Sequence, residues 1–154
     1  MNVGEGKNKN LKSPAPAAPA AMPPGTMVVK TCELFNETFK EHAKQNRQLI
    51  SKLIEFINFK KDNPTKLYKV DKSDSNIGSV YDSVIPGIRH AHLTHDISVW
   101  YKISGMNPRE LKLYALLTHD ESGTGEPVKK NVARGMAKRM SGQTFHDIEP
   151  GKLL

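Results

Sequence analysis

The sequence predicts an α+β fold in which a short strand and a pair of helices precede an antiparallel sheet. Apolar residues recur at helical spacing between Leu49 and Ile57. Apolar and polar residues alternate in the runs 97–104 and 110–118, as in half-buried strands. The length of 154 residues is enough for one domain of ordinary size and a terminal extension.

Residues 1–26 are predicted to form a disordered extension. Proline and alanine are crowded between Ser13 and Ala21, which favours a semi-extended chain with no apolar face to bury. The lysines before this run are not followed by the leucine-rich segment of a secretory signal. No run approaches the ~18 apolar residues of a membrane-spanning helix. We therefore expect a cytoplasmic protein without a membrane partner.

The chain has a single cysteine, Cys32, and we expect it to be a small core residue.

The first folded elements are a strand and a helical hairpin. A β-type run begins at Met27 and ends at Thr31. Asn36 is the predicted N-cap of a helix that runs to about residue 46. The second helix carries the stripe that begins at Leu49, and the run Asp62-Asn63-Pro64 is predicted to end it. Residues 65–86 show little periodicity and are interpreted as a long connecting loop.

Three strand-like runs follow, at 87–93, 97–104 and 110–118, with a turn at Gly105–Pro108 between the last two. They predict an antiparallel meander. From Pro127 onward the sequence predicts a helix, with apolar residues at helical spacing at Val128, Val132, Met136 and Met140. The stripe of Val132 and Met136 is expected to pack on the sheet. The domain is therefore expected to span residues 27–142, and residues 143–154 are expected to be an irregular tail.

The chain is basic, with a net charge of +7 and a pI near 9.5. This charge favours a polyanionic partner but does not choose among RNA, DNA, the ribosome and an anionic membrane, and a solvated basic surface would explain it equally well. The last predicted helix concentrates the charge in a group without an intervening acid: Lys129, Lys130, Arg134, Lys138 and Arg139.

Groups that can transfer protons are concentrated in the segment 87–103 and at the end of the third strand. They are His90, His92, His95, Asp96 and His119, with the cation Arg89. Strand periodicity places His90 and His92 on one face and Arg89 on the other. Asp96 lies across the turn from His92, and His119 closes the third strand beside the same sheet. Imidazole can act as acid or base at neutral pH, but these residue types also bind metals, so structural, metal and acid–base roles remain open from the residues alone.

Segment 87–103 resembles the central hairpin of the RelE/ParE superfamily of toxin endoribonucleases, and it is most similar to the YafQ branch. The matching residues are Gly87, Arg89, Ala91, His92, Asp96, Tyr101 and Lys102, followed by Thr118 and His119. The helix from Pro127 loosely resembles the C-terminal segment of the YafO branch. The chain departs from the YafQ pattern in two places, since it lacks a further histidine before the hairpin and an aromatic residue shortly after His119.

The resemblance implies a RelE-like fold and cleavage of mRNA on the ribosome without a metal or other cofactor. It implies that His92, Asp96 and His119 are catalytic and that Arg89 contacts phosphate, and we expect Lys102 and the basic helix to bind RNA. A cognate antitoxin is the implied protein partner. Two alternatives remain: a ParE-like protein that binds gyrase without cutting RNA, and a protein that binds the ribosome or an antitoxin without catalysis.

Overall fold

The computed structural model describes residues 26–69, 74–76, 79–125 and 127–148. Its elements, in chain order, are β1 (Met27–Thr31), α1 (Glu33–Gln45), α2 (Gln48–Asp62), β2 (Asp74–Asn76), α3 (Ser79–Val84), β3 (Arg89–His92), β4 (Ile97–Ser104), β5 (Arg109–Thr118), α4 (His119–Ser122), α5 (Lys130–Ser141) and β6 (His146–Ile148). Apart from Thr26, the predicted N-terminal extension lies outside the described residues. None of the described helices is both long and apolar enough to cross a lipid bilayer.

The predicted α+β fold class is confirmed, but the sheet is mixed rather than antiparallel. Its six strands have the order β2-β3-β4-β5-β1-β6. Strands β3, β4 and β5 form the predicted antiparallel meander. Strand β1, however, pairs in parallel with β5. The meander leaves one edge of β5 open, and β1 occupies that edge because the helices α1 and α2 carry the chain away before β3 begins.

Two segments predicted to be irregular contain short regular elements. The predicted loop 65–86 includes β2 and α3, and the predicted tail includes β6, which pairs with β1. A six-residue helix and three-residue edge strands are too short to show a periodic pattern in the sequence. Helix α3 is held instead by Tyr81, which is fully buried against Trp100 with the ring centroids 4.3 Å apart.

Helix α1 begins earlier than the sequence predicts, because its N-terminus is capped from a distant part of the chain. Cys32 occupies the N-cap position without a side-chain hydrogen bond, so the predicted cap at Asn36 is wrong. The amide of Leu34 donates to the side-chain carbonyl oxygen of Gln143 at 3.1 Å. Such a tertiary cap satisfies a first-turn N–H group without leaving a local sequence signal.

Helices cover both faces of the sheet. Phe56 of α2 contacts Tyr101 with a centroid distance of 5.0 Å, whereas Tyr81 of α3 contacts the neighbouring Trp100. Since successive strand residues point to opposite faces, α2 and α3 lie on opposite sides. Helix α5 packs beside α3.

The buried face of α5 agrees with the predicted one only in part. Met136 packs against the core, and Ala133, Ala137 and Met140 are buried, whereas Val128 and Val132 are 59% and 39% exposed. Val128 precedes the helix, and the apolar stripe is displaced by one position from Val132 to Ala133. Small alanine side chains allow the helix to approach its neighbours closely, and a pattern search that favours large apolar residues misses them.

Cys32 is 1% exposed, and its thiol contacts the backbone carbonyl oxygen of Tyr114 at 3.4 Å. Burial raises the pKa of this thiol, which keeps it protonated and weakly nucleophilic at neutral pH. We expect the native protein to react with a thiol-specific chromogenic disulfide at least tenfold more slowly than the urea-unfolded protein. Equal rates would show that Cys32 is accessible in the native state.

Candidate active site

The structure brings together the three residues for which the resemblance implies a catalytic role. His92 lies in β3, Asp96 in the turn after it, and His119 at the first position of α4. His92 Nε2 lies 3.3 Å from His119 Nε2. His119 Nδ1 lies 3.3 Å from a carboxylate oxygen of Asp96. Strand pairing places Ile97 opposite Thr118, which explains why residues distant in sequence meet here.

These distances are consistent with one direction of hydrogen bonding. The Asp96 carboxylate can only accept, so a hydrogen bond between the two side chains requires a proton on His119 Nδ1. In a neutral His119 the Nε2 atom is then unprotonated, and it can accept from His92 Nε2–H. The carboxylate therefore orients one imidazole as a base, and the second imidazole is placed to act as a proton donor.

Local hydrogen bonds hold both ends of this cluster. In the turn before β4, the Thr94 hydroxyl accepts from the amide of Ile97 at 3.0 Å. At α4, Thr118 and Glu121 form a reciprocal capping box. The pattern Thr-x-x-Glu is the sequence signature of such a cap. The cap fixes the backbone that carries His119.

Glu121 lies in the stretch after His119, where this chain lacks the aromatic residue of the YafQ pattern. Its carboxylate lies 2.8 Å from His42 Nε2 of α1. The His42 side chain is thus half-buried and paired. The contact between His42 and Glu121 connects α1 to α4.

His92 packs at the end of a row of rings formed by His90, Trp100 and Tyr81. His90 is 6% exposed, with its ring centroid 5.0 Å from Trp100 and 5.3 Å from His92. It shares the face of His92, as predicted, and its role in the fold is supporting. His95 and His146 are exposed. The row ends at Tyr81, whose hydroxyl donates to the Ser122 carbonyl of α4 at 2.6 Å.

Two predicted phosphate contacts lie away from the histidines. Arg89 pairs across the strands with Tyr101, on the face opposite His92, and it lines a separate cleft. The predicted alternation of side chains is correct, and it separates Arg89 from the cluster. Lys102 is half-buried, and its side chain lies against Gly87, just before β3. Its Cε is 3.6 Å from the position of a Cβ built on that glycine.

The basic residues of the last helix are exposed, and several bind other side chains. Lys129 lies 3.4 Å from Asp120 of α4, and Arg139 lies 2.9 Å from Glu37 of α1. Arg134 donates to Asn131 at 3.1 Å. The N-terminal end of this basic surface, with Lys129 and Lys130, therefore adjoins the short helix that carries His119.

The three residues of the cluster are not arranged around a single ion. Asp96 contacts Nδ1 of His119, whereas His92 contacts Nε2 on the other side of the same ring. One ion cannot bind both partners and that ring together. Within the described residues, no group of at least three His, Cys, Asp or Glu side chains is placed to hold a metal ion.

No family model and no curated protein matches this chain. Among solved structures, the DinJ–YafQ complex of Escherichia coli is similar over 60% of this chain and 92% of the matched chain, with 20% identity and a TM-score of 0.47. A YoeB/ParE toxin from Agrobacterium tumefaciens is similar over 61% and 98%, with 14% identity and a TM-score of 0.47. At this level of identity, the two structures are similar to the chain in fold only.

Proposed function

We propose that this protein is an endoribonuclease that cleaves mRNA on the ribosome by acid–base catalysis without a metal. The observation that supports this proposal is the chain of contacts from Asp96 through His119 to His92. It provides an oriented base and a second imidazole within reach of one phosphodiester.

In the proposed reaction, Nε2 of His119 removes the proton of a ribose 2′-hydroxyl. The 2′-oxygen attacks the adjacent phosphorus, and the bond to the 5′-oxygen breaks. His92, in its protonated form, gives its proton to that leaving oxygen. The products are a 2′,3′-cyclic phosphate and a 5′-hydroxyl, so atoms and protons balance without a cofactor. Asp96 keeps His119 in the required tautomer and stabilises the imidazolium that forms.

The basic helix α5 is proposed to bind RNA phosphates through Lys129, Lys130, Arg134, Lys138 and Arg139, with Lys102 as a further contact. Lys129 and Lys130 adjoin the helix of His119, which would lead the strand toward the histidines. We also propose an antitoxin protein as the natural inhibitor, and the ribosomal substrate would place the activity in the cytoplasm.

Replacing Lys130, Arg134 and Lys138 together by glutamine should weaken RNA binding. Log K falls with log salt, and each lost phosphate contact to a single strand makes this slope less steep by about 0.7. The triple variant should therefore have a slope about 2 less steep than the original protein. Fluorescence anisotropy at several salt concentrations measures this slope. The control replaces Lys40, Lys44 and Lys61, which are exposed on α1 and α2. Equal losses in the two triple variants would contradict a specific role for α5.

The activity test uses a defined mRNA, both free and programmed on purified ribosomes in magnesium buffer. Free RNA is incubated with EDTA, and ribosome reactions receive 1,10-phenanthroline, which removes zinc and iron but leaves the magnesium that ribosomes need. Cleavage that persists and yields 2′,3′-cyclic ends supports the proposal. Cleavage abolished by the chelators would contradict metal-free chemistry. Absence of cleavage together with blocked gyrase supercoiling would instead support a ParE-like binding protein.

A further inference from the structure

A second basic site lies at the other end of the sheet. A cleft of about 240 Å³ is present between the C-terminal end of α2 and the sheet. Four basic residues line it: Lys60, Lys66, Arg89 and Arg109. None of the described residues that line it is acidic. The cleft therefore concentrates positive charge in a space that can hold a small anionic group.

Lys60 gives this cleft a cation whose position is fixed. The residue is only 2% exposed, and its ammonium nitrogen lies 5.1 Å from the centroid of the Tyr101 ring and 5.9 Å from that of Phe59. The same nitrogen donates to the backbone carbonyl oxygen of Lys66 at 2.6 Å. Ring faces stabilise a cation in this position, and a buried side chain loses little further entropy when a ligand binds.

The two arginines come from rigid strands. Arg89 faces Tyr101 across the β3–β4 pair. Ile103 lies two residues after Tyr101 and therefore on the same face of the sheet, and it pairs with Leu111 of β5. Arg109 lies two residues before Leu111 and shares that face as well. Strand alternation therefore directs both Arg89 and Arg109 to the face covered by α2. Two guanidinium groups and two ammonium groups approach the cleft from three separate elements and the segment after α2.

We propose that this cleft binds a phosphate group. Phosphate presents three or more oxygens in different directions, which suits donors that converge from several elements, and guanidinium groups recognise it by paired hydrogen bonds. A planar carboxylate would satisfy fewer of these donors.

The site is separate from the histidine cluster. Arg109 and His119 are ten positions apart, at opposite ends of the extended strand β5, roughly 30 Å at strand rise. Arg89 and His92 lie on opposite faces of β3. The proposal therefore does not depend on the proposed ribonuclease activity, and it can be tested in a protein that cleaves nothing.

Inorganic phosphate is the first probe. Titration followed by ¹H–¹⁵N NMR should shift amide signals of residues 65–67, 87–89 and 109, and Arg109→Gln and Lys66→Gln should each weaken binding at least fivefold. Lys61→Gln, which removes an equal charge from an exposed position outside the cleft, should leave affinity within twofold. Thermal unfolding of each variant without phosphate verifies that the fold is retained.

A second probe identifies the source of the phosphate. A short oligoribonucleotide with a 5′-phosphate is compared with its 5′-hydroxyl form. Tighter binding of the phosphorylated form, lost in Arg109→Gln, assigns the site to an RNA end, whereas equal binding of both forms, with phosphate still bound, assigns it to a free phosphate. Signals that shift only in α5, or equal losses in Lys61→Gln and Arg109→Gln, would overturn the proposal.

Discussion

Replacing His119 by alanine is expected to lower the rate of RNA cleavage roughly 10²- to 10⁴-fold, the usual contribution of a positioned general base. The substitution removes the nitrogen that faces His92 and the partner of Asp96. His119 is partly exposed, so the fold should persist. Single-turnover cleavage of a labelled RNA measures the loss, and circular dichroism verifies the fold.

The matched control is His95→Ala, because His95 lies one residue before Asp96 and is exposed. Its rate should stay within about twofold of the original. Since residues that act as a unit have non-additive effects, the double variant His92→Ala/His119→Ala should lose little more than the stronger single variant. Independent, multiplied losses would show that the two histidines do not act in one step.

Replacing Gly123 by alanine should destabilise the protein by about 2–5 kcal/mol, from left-handed backbone strain and overpacking together. Gly123 has a φ of +75°, and a Cβ there would lie 2.5 Å from the carbonyl oxygen of Lys129 and 2.7 Å from the amide nitrogen of Ala133. Both contacts are backbone atoms, which cannot rotate away. The substitution therefore forces the beginning of α5 away from the end of α4. Urea unfolding measures the change.

Gly135→Ala serves as the control within α5. No atom lies within 4 Å of a Cβ built at Gly135, and alanine favours a helix over glycine by about 1 kcal/mol. This variant should be as stable as the original protein or more so. If Gly123→Ala unfolds at the same urea concentration as Gly135→Ala, the close contact between α4 and α5 does not exist in solution.

The sequence predicts the elements whose patterns are long. Helix α2 ends at Asp62 as predicted, and the meander from β3 to β5 is confirmed. The parallel pairing of β1 and the cap from Gln143 to Leu34 depend on residues far apart in the chain. Such long-range contacts leave no local periodicity, which is why they could not be predicted.

The candidate site also has a part that the sequence predicts and a part that it does not. Strand alternation and a short turn predict that His92 and Asp96 lie near each other, and the predicted meander brings His119 to the same edge. Arg89 was expected beside them through the resemblance, but its position in the alternation directs it to the other face. The contact of His42 with Glu121 joins α1 to α4 and has no signature in either segment alone.

The order in which these residues occur in the chain has a consequence for synthesis. His92 and Asp96 leave the ribosomal exit tunnel before His119, which is 27 positions after His92. Helix α4 is then held by Gly123 and Lys129, whose backbone groups bond at 2.9 Å. A nascent chain that has not yet released β5 and the start of α5 lacks the assembled histidine pair. A growing polypeptide of the proposed enzyme would therefore be harmless to the message that encodes it until nearly the whole domain has emerged.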